Sequence, residues 1–151
     1  MTLAKPINKY IDYIDAPEDT FEQYVEKALK YNFRCVFANL QEYETGRAML
    51  EGSDIILAGA IDFPQGTMTL EEKLARFEEY AACGFTEIDY VLNQESVENR
   101  DFDAIEREMT AIADFCRAHG ITEKVIVEMC KLDGDDAAKH RVCEIALEAK
   151  P

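Results

Sequence analysis

The sequence predicts an α/β protein built on a parallel β-sheet. Short apolar runs alternate with longer amphipathic segments five times along the 151 residues. The apolar run at 55–61 is nearly continuous, which is typical of a strand covered on both faces. Alternating units of this kind favour parallel strands with helices packed on the sheet. We therefore expect a single domain, residues 1–151, with five β-α units.

Capping residues and glycines set the expected ends of the elements. Thr20 or Asp19 is the expected N-cap of the first helix, and Thr69 with Glu72 forms a capping box for the third. The glycine that follows each of several helices is a typical stop signal. In chain order the expected bounds are strand 11–14, helix 21–31, strand 34–39, helix 41–50, strand 55–61, helix 70–83, strand 86–92, helix 102–119, strand 124–129 and helix 135–149.

Composition narrows the class of partner. The 31 acidic and 16 basic residues give a net charge of −15, which disfavours nucleic acid and anionic membrane surfaces as partners. No apolar run approaches the ~18 residues of a membrane-spanning helix, and residues 1–10 lack the apolar core of a signal peptide. The five cysteines show no C-x-x-C spacing, and the two histidines are isolated. We therefore expect a soluble, cytoplasmic protein without a metal site.

Polar side chains concentrate where the predicted strands end, which is where α/β proteins place their chemistry. The side-chain period of two puts Glu87, Asp89 and Asn93 on one face of the fourth strand. It puts Lys124 and Glu128 together on one face of the fifth. Burying a lysine and a glutamate costs free energy unless the two are paired. The pattern therefore fits either a structural ion pair or an active site.

Three segments resemble motifs of the deoxyribose-phosphate aldolase family, in the family's order and spacing. Residues 60–66, with Thr69 opening the next helix, resemble the F-P-x-G turn after strand three. Residues 84–93 resemble the G-A-x-E-[IV]-D-x-V-x-N segment of strand four, and residues 124–132 resemble K-V-I-[IL]-E-T-x-x-L of strand five. Residues 10–12 correspond to an early [LI]-I-D segment. The resemblance covers nearly the whole chain.

The resemblance implies a partial (β/α)₈ barrel of the TIM type and an aldolase, a carbon–carbon lyase of deoxyribonucleotide catabolism. The family cleaves 2-deoxyribose 5-phosphate to glyceraldehyde 3-phosphate and acetaldehyde through a lysine Schiff base, without metal or organic cofactor. Its proton-relay aspartate corresponds to Asp89, and its strand-five lysine corresponds to Lys124. These two are the implied catalytic residues, and the implied substrate-binding residues are Asp12, Asn39, Asn93 and Glu128.

The family's strand-six motif, K-T-S-T-G, does not occur in residues 1–151. The Schiff-base lysine, its partner lysine and the phosphate-binding glycines of the family belong to strands six to eight. We therefore expect a truncated chain that is inactive alone and whose open strand edges favour a homo-oligomer. Lys124 could in principle form an imine instead, but a neighbouring carboxylate favours the charged amine, which is a poor nucleophile.

A second interpretation assigns the chain to another class of protein. Five β-α units also form an open flavodoxin-like sheet, the fold of non-catalytic receiver modules that bind or signal. Such a module needs acidic residues after strand one, an aspartate after strand three and a lysine after strand five. Asp12, Asp15, Asp62 and Lys131 match that set. Magnesium-dependent labelling by a small phosphodonor would favour this alternative over the aldolase.

Overall fold

The computed structural model describes residues 4–14 and 16–149, which belong to two compact units divided after Gly59. Strands and helices alternate as the sequence predicts. The strands are β1 (Asp12–Tyr13), β2 (Cys35–Phe37), β3 (Ile56–Ile61), β4 (Glu87–Val91) and β5 (Thr122–Ile126). The α-helices are α1 (Phe21–Tyr31), α2 (Tyr43–Met49), α3 (Leu70–Cys83), α4 (Gln94–Asn99), α5 (Phe102–His119) and α6 (Asp136–Ala149). Two 3₁₀ helices cover Ile7–Tyr10 and Met129–Leu132.

In the first unit, β2 pairs in parallel with both β1 and β3. Helix α1 begins at a capping box, in which the Thr20 hydroxyl accepts from the Gln23 backbone and the Gln23 side chain accepts from the Thr20 backbone. This arrangement satisfies two of the backbone donors that a helix start leaves unpaired. The apolar face of α1 then packs into a core of Tyr24, Val25, Ala28, Val36, Leu50 and Ile55.

The strand pairing of the first unit contradicts the receiver-like alternative. A flavodoxin-like sheet has the strand order 2-1-3-4-5, in which the first strand lies between the second and the third. Here β2 is the middle strand, because Cys35 lies opposite both Asp12 of β1 and Ile56 of β3. The flavodoxin-like prediction is therefore wrong. Asp15, which that alternative invoked, lies outside the described residues.

In the second unit, β4 and β5 pair in parallel over their full length, with Asp89 opposite Lys124. A cavity of about 40 Å³ lies against this pair and is lined by side chains from both strands and from α5 and α6: Tyr90, Met109, Ala113, Glu123, Val125, Ala146 and Ala149. Tyr90, Glu123 and Val125 therefore point toward the helices. Because side chains alternate along a strand, Glu87, Asp89 and Lys124 point to the opposite face.

Several element ends lie one or two residues from the expected bounds, and two elements differ by more. The fifth strand ends at Ile126 and not at Met129, since Glu128 adopts a left-handed backbone conformation with φ of 61° that a strand cannot contain. The sequence prediction missed α4, a helix of six residues that begins directly after Asn93. Within the described part of the chain, no helix is both long and apolar enough to cross a membrane.

Candidate active site

Lys124 lies between two carboxylates of the neighbouring strand. Its Nζ is 2.9 Å from Glu87 Oε1 and 3.0 Å from Asp89 Oδ1. The parallel register explains this contact, since Asp89 lies directly opposite Lys124 and Glu87 lies two residues earlier on the same face. The two acidic side chains are 6% and 13% exposed, whereas that of Lys124 is 30% exposed. The ammonium group therefore compensates two nearly buried carboxylates.

This geometry suits Asp89 for proton transfer better than it suits Lys124 for nucleophilic attack. A carboxylate held beside a reacting group can accept and return a proton. A lysine nucleophile must be neutral, and two carboxylates at about 3 Å favour its charged form. The sequence left open whether Lys124 belongs to a structural ion pair or to an active site. The structure shows ion pairs that join Lys124 to Glu87 and Asp89 of the neighbouring strand.

Asn93 follows β4, and its side chain is engaged with the backbone around it. Its Oδ1 accepts from the Ser96 backbone N–H at 3.0 Å and so caps α4. Its Nδ2 donates to the Met68 carbonyl at 3.4 Å, which lies in the turn before α3. Asn93 therefore ties the end of β4 to the turn that follows β3.

Glu128 lies beyond the end of β5. Because β5 ends at Ile126, strand alternation does not extend to Glu128, whose side chain is exposed. Its Oε1 accepts from the Cys130 thiol at 2.9 Å, and this interaction raises the pKa of Cys130. The predicted grouping of Lys124 with Glu128 is therefore wrong.

Asp12 and Asn39 lie in the first unit, where each has a local partner. Asp12 forms a two-pronged ion pair with Arg34, with oxygen–nitrogen distances of 2.5 and 2.7 Å. Asn39 Oδ1 accepts from the backbone N–H groups of Gln41 and Glu42 at 2.9 and 3.0 Å, which stabilises the turn after β2. Both side chains therefore hold local structure at the ends of their strands.

The sequence prediction missed a buried ion cluster formed by Lys73, Asp62 and Glu108. A signal for it was present: Lys73 precedes the core residues Phe77 and Tyr80 by four and seven positions, which places it on the apolar stripe of α3. No group of three or more His, Cys, Asp or Glu side chains in residues 4–14 and 16–149 is arranged to hold a metal ion.

Curated proteins similar to this chain are deoxyribose-phosphate aldolases. The one from Lactobacillus acidophilus is 34% identical over 139 residues, which are 92% of this chain and 58% of that protein. The one from Bacteroides thetaiotaomicron is 36% identical over 131 residues, which are 87% of this chain and 54% of that protein. No protein-family model matches the chain.

Solved structures of aldolases share the fold. A tetrameric deoxyribose phosphate aldolase from Aeropyrum pernix matches with a TM-score of 0.72 and 26% identity, over 89% of this chain and 56% of that one. A structure from Coccidioides immitis, provisionally described as a deoxyribose-phosphate aldolase, matches with a TM-score of 0.78 and 21% identity, over 95% and 57%. The five β-α units thus form a partial TIM barrel. In sequence and fold, the chain is similar to deoxyribose-phosphate aldolases and spans a little over half the length of these relatives.

Proposed function

We propose that this chain supplies the first five β-α units of an aldolase that reversibly cleaves 2-deoxyribose 5-phosphate to glyceraldehyde 3-phosphate and acetaldehyde. The observation that supports this proposal most directly is the Asp89 carboxylate, 3.0 Å from Lys124 on the strand face turned away from the helices. The family resemblance assigns the proton relay to this aspartate.

Asp89 and Lys124 have different roles in this proposal. Loss of water from a carbinolamine and exchange of a proton at the neighbouring carbon both need an acid–base group close to the amine. Asp89 provides that group, and Lys124 pairs with its carboxylate and fixes its direction. The amine that forms the Schiff base is outside residues 1–151, because these residues lack the family's strand-six motif.

The substrate and the partners follow from the same proposal. Asn93 binds the sugar phosphate from the end of β4, and Asp12, Asn39 and Glu128 contribute further polar groups. The protein acts in the cytoplasm, uses no cofactor and forms a homo-oligomer. The Aeropyrum pernix aldolase, which is described as a tetramer, supports the oligomeric part of this proposal.

Borohydride trapping with acetaldehyde tests which chain carries the reactive amine. We expect the 17.2 kDa chain to gain no site-specific adduct when intact mass is measured after reduction. Lys124→Gln is the control, because it removes the one amine that we place beside Asp89. A single adduct that disappears in Lys124→Gln would contradict the proposed role of Lys124 as a charge partner.

A chimera tests the aldolase activity itself. This chain would replace the matching 58% of the Lactobacillus acidophilus aldolase, and the remaining part of that protein would complete the molecule. We expect cleavage of 2-deoxyribose 5-phosphate, and we expect Asp89→Asn to lower kcat by ~100-fold or more, since acid–base groups contribute about that much. Asp103→Asn on the exposed start of α5 is the matched control. A folded chimera with equal rates in both variants would refute the role of Asp89.

A further inference from the structure

Lys73 is a fully buried cation on α3, with 0% of its side chain exposed. Its Nζ is 2.5 Å from Glu108 Oε1 and 3.4 Å from Asp62 Oδ2. The two carboxylates are themselves 7% and 3% exposed, so all three charges lie away from water. Burying such a cluster costs free energy unless its members are also hydrogen-bonded. The other hydrogen bonds of the two carboxylates therefore indicate which parts of the chain the cluster holds in place.

One arm of the cluster fixes the turn that follows β3. Asp62 has a φ of 60° and directs both carboxylate oxygens at that turn. Oδ1 accepts from the Thr67 backbone N–H at 3.0 Å, and Oδ2 accepts from that of Met68 at 2.8 Å. Lys73 thus connects α3 to the backbone just before the helix begins.

The other arm reaches the end of β4. Both oxygens of Glu108 accept from the Asn93 backbone N–H, at 3.3 and 3.2 Å. Because Asn93 Nδ2 donates to Met68 O, the contacts close into a ring that runs Lys73–Asp62–Met68–Asn93–Glu108 and back to Lys73. A closed ring constrains each member from two sides.

A backbone hydrogen bond joins the same turn to the residue after Asn93 and fixes the distance between the turn and the end of β4. The Gln94 N–H donates to the Gly66 carbonyl at 2.8 Å. Gly66 has a φ of 64°, and a Cβ at this position would lie 2.5 Å from the Leu92 carbonyl oxygen. The turn therefore approaches β4 as closely as backbone atoms allow, which leaves little room for Asn93 to shift while the ring is intact.

We propose that Lys73 is a positioning residue that holds Asn93, and with it the end of β4, through Glu108. This inference rests on the proposed function for its purpose, since Asn93 is a proposed substrate-binding residue on the strand that carries Asp89. The effect of Lys73 on the position of Asn93 does not depend on whether the protein is an active aldolase. Without the ammonium group, Asp62 and Glu108 are two buried like charges that repel, and Glu108 moves away from the Asn93 N–H.

Residue-specific hydrogen exchange in the chain as it exists tests this inference. In Lys73→Met we expect the Asn93 amide to exchange roughly tenfold faster than in the unaltered protein, the equivalent of ~1.4 kcal/mol for one lost hydrogen bond. Ile88, in the middle of β4, should keep its rate. Arg76→Met is the matched control, because it also removes a cation from α3 but breaks an exposed pair with Glu79 and a cation–π contact with Tyr80, and neither contact belongs to the ring.

Rescue by a second change separates positioning from general stability. Glutamine at position 108 still offers an oxygen to the Asn93 N–H but carries no charge that needs Lys73. We therefore expect the pair Lys73→Met with Glu108→Gln to restore slow exchange at Asn93. Unchanged Asn93 exchange in Lys73→Met, or equal acceleration at Ile88 and Asn93, would overturn the inference.

One further variant keeps the test decisive. If Lys73→Met does not fold, Glu108→Ala removes both the acceptor of the Asn93 N–H and the carboxylate partner of Lys73, and it must still accelerate exchange at Asn93 and not at Ile88. These rates report on the folded chain without substrate. A folded chimera without aldolase activity would therefore reject the proposed function. The role of Lys73 would still be decided by the hydrogen-exchange rates of Asn93 and Ile88.

Discussion

Two carboxylates share one ammonium group where β4 and β5 pair. Lys124 is 30% exposed, and its partners Glu87 and Asp89 are more deeply buried than it is. Removing this cation takes away the ammonium group that lies within 3.0 Å of two nearly buried carboxylates, which costs more than the loss of a surface ion pair. The stability of this strand pair therefore depends on the Lys124 ammonium group, which is also the ion-pair partner of Asp89.

Lys124→Leu should lower the free energy of unfolding by ~2 kcal/mol at neutral pH, because it leaves Glu87 and Asp89 without their shared cation. Urea denaturation measures the change. Lys139→Leu is a close control, since Lys139 is 31% exposed but pairs only with Asp133 and Asp136, which are 91% and 98% exposed. We expect the control to change stability by less than ~0.5 kcal/mol. Equal losses in both variants would contradict this account.

The pH dependence of stability has a distinct source at Glu123. Burial against β4 and α5 raises the pKa of this carboxyl above its ordinary value of 4.5. The folded chain therefore binds the proton more tightly than the unfolded chain does. Stability falls as pH rises from the ordinary value through the raised one, and the full penalty is present above it.

Glu123→Gln should therefore stabilise the protein at neutral pH by roughly 0.5 kcal/mol, a modest gain because the carboxyl is only half-buried. Below pH 4.5 the two proteins should unfold at the same urea concentration. Urea midpoints at the two pH values measure the difference. A variant that is less stable at neutral pH would show that the Cys116 thiol, which bonds to this carboxylate, contributes more than the burial penalty.

Side-chain alternation located the buried charges but not their partners. It grouped Lys124 with Glu128 along one strand. The true partners lie on the neighbouring strand, and the register that brings Asp89 opposite Lys124 depends on long-range packing. A pattern within one strand contains no information on that register.

At the scale of elements, the helices whose ends could be predicted are those with clear capping residues. The bounds of α1, α3 and α5 agree with the sequence prediction because a capping residue precedes each helix and an αL residue follows it. Helix α4 has six residues and no apolar stripe long enough to be detected. The left-handed conformation of Glu128 ended β5 early, and such conformations are rare outside glycine.

Thr69→Ala should destabilise the protein by about 1 kcal/mol, since the Thr69 hydroxyl and the Glu72 side chain complete the capping box of α3. Urea denaturation measures the loss. Thr110→Ala on the exposed surface of α5 provides the control, and alanine there should be neutral or slightly stabilising. A Thr69→Ala protein as stable as the control would show that the cap contributes nothing.

Gly66→Ala should cost about 3 kcal/mol, because the new Cβ combines an unfavourable positive φ with a contact at 2.5 Å to the Leu92 carbonyl. Gly52→Ala separates the two effects. Gly52 has a φ of 79° with nothing within 4 Å of the added Cβ, so only the conformational cost of about 1 kcal/mol remains. If thermal unfolding gives equal losses for the two variants, the close approach to β4 contributes nothing.

At the scale of the whole molecule, open strand edges are the dominant feature. Among the described residues, β1 pairs with β2 and β5 pairs with β4, each on one side. Exposed apolar side chains flank β1, namely Ile7, Tyr10, Ile11 and Ile14. Unpaired strand edges beside apolar surface favour association with another chain.

Light scattering on a dilution series should therefore give a mass above 17.2 kDa at high protein concentration. This mass should decrease as the protein is diluted. Ile14→Lys should weaken association, because a charge beside an edge strand opposes pairing. Leu147→Lys is the control, since this side chain is 78% exposed and belongs to α6, not to an edge strand. A mass of 17.2 kDa at every concentration would contradict the expected homo-oligomer.

The fold class could be predicted from the sequence because five repeats of one pattern reinforce each other, and errors in single bounds do not change it. The division after Gly59 could not, since it depends on which side chains pack together. The same limit applies to Lys73, whose buried partners come from distant positions in the chain.

The division after Gly59 places one buried cysteine in each unit, and this arrangement has a chemical consequence. Cys35 in the first unit and Cys116 in the second are both fully buried, and burial raises the pKa of Cys116 to about 12. Neither thiol can react with a maleimide until the surrounding structure opens, whereas Cys130 and Cys143 are exposed and need no such opening. Labelling followed by peptide mass mapping would thus time the opening of each unit separately, with no introduced reporter.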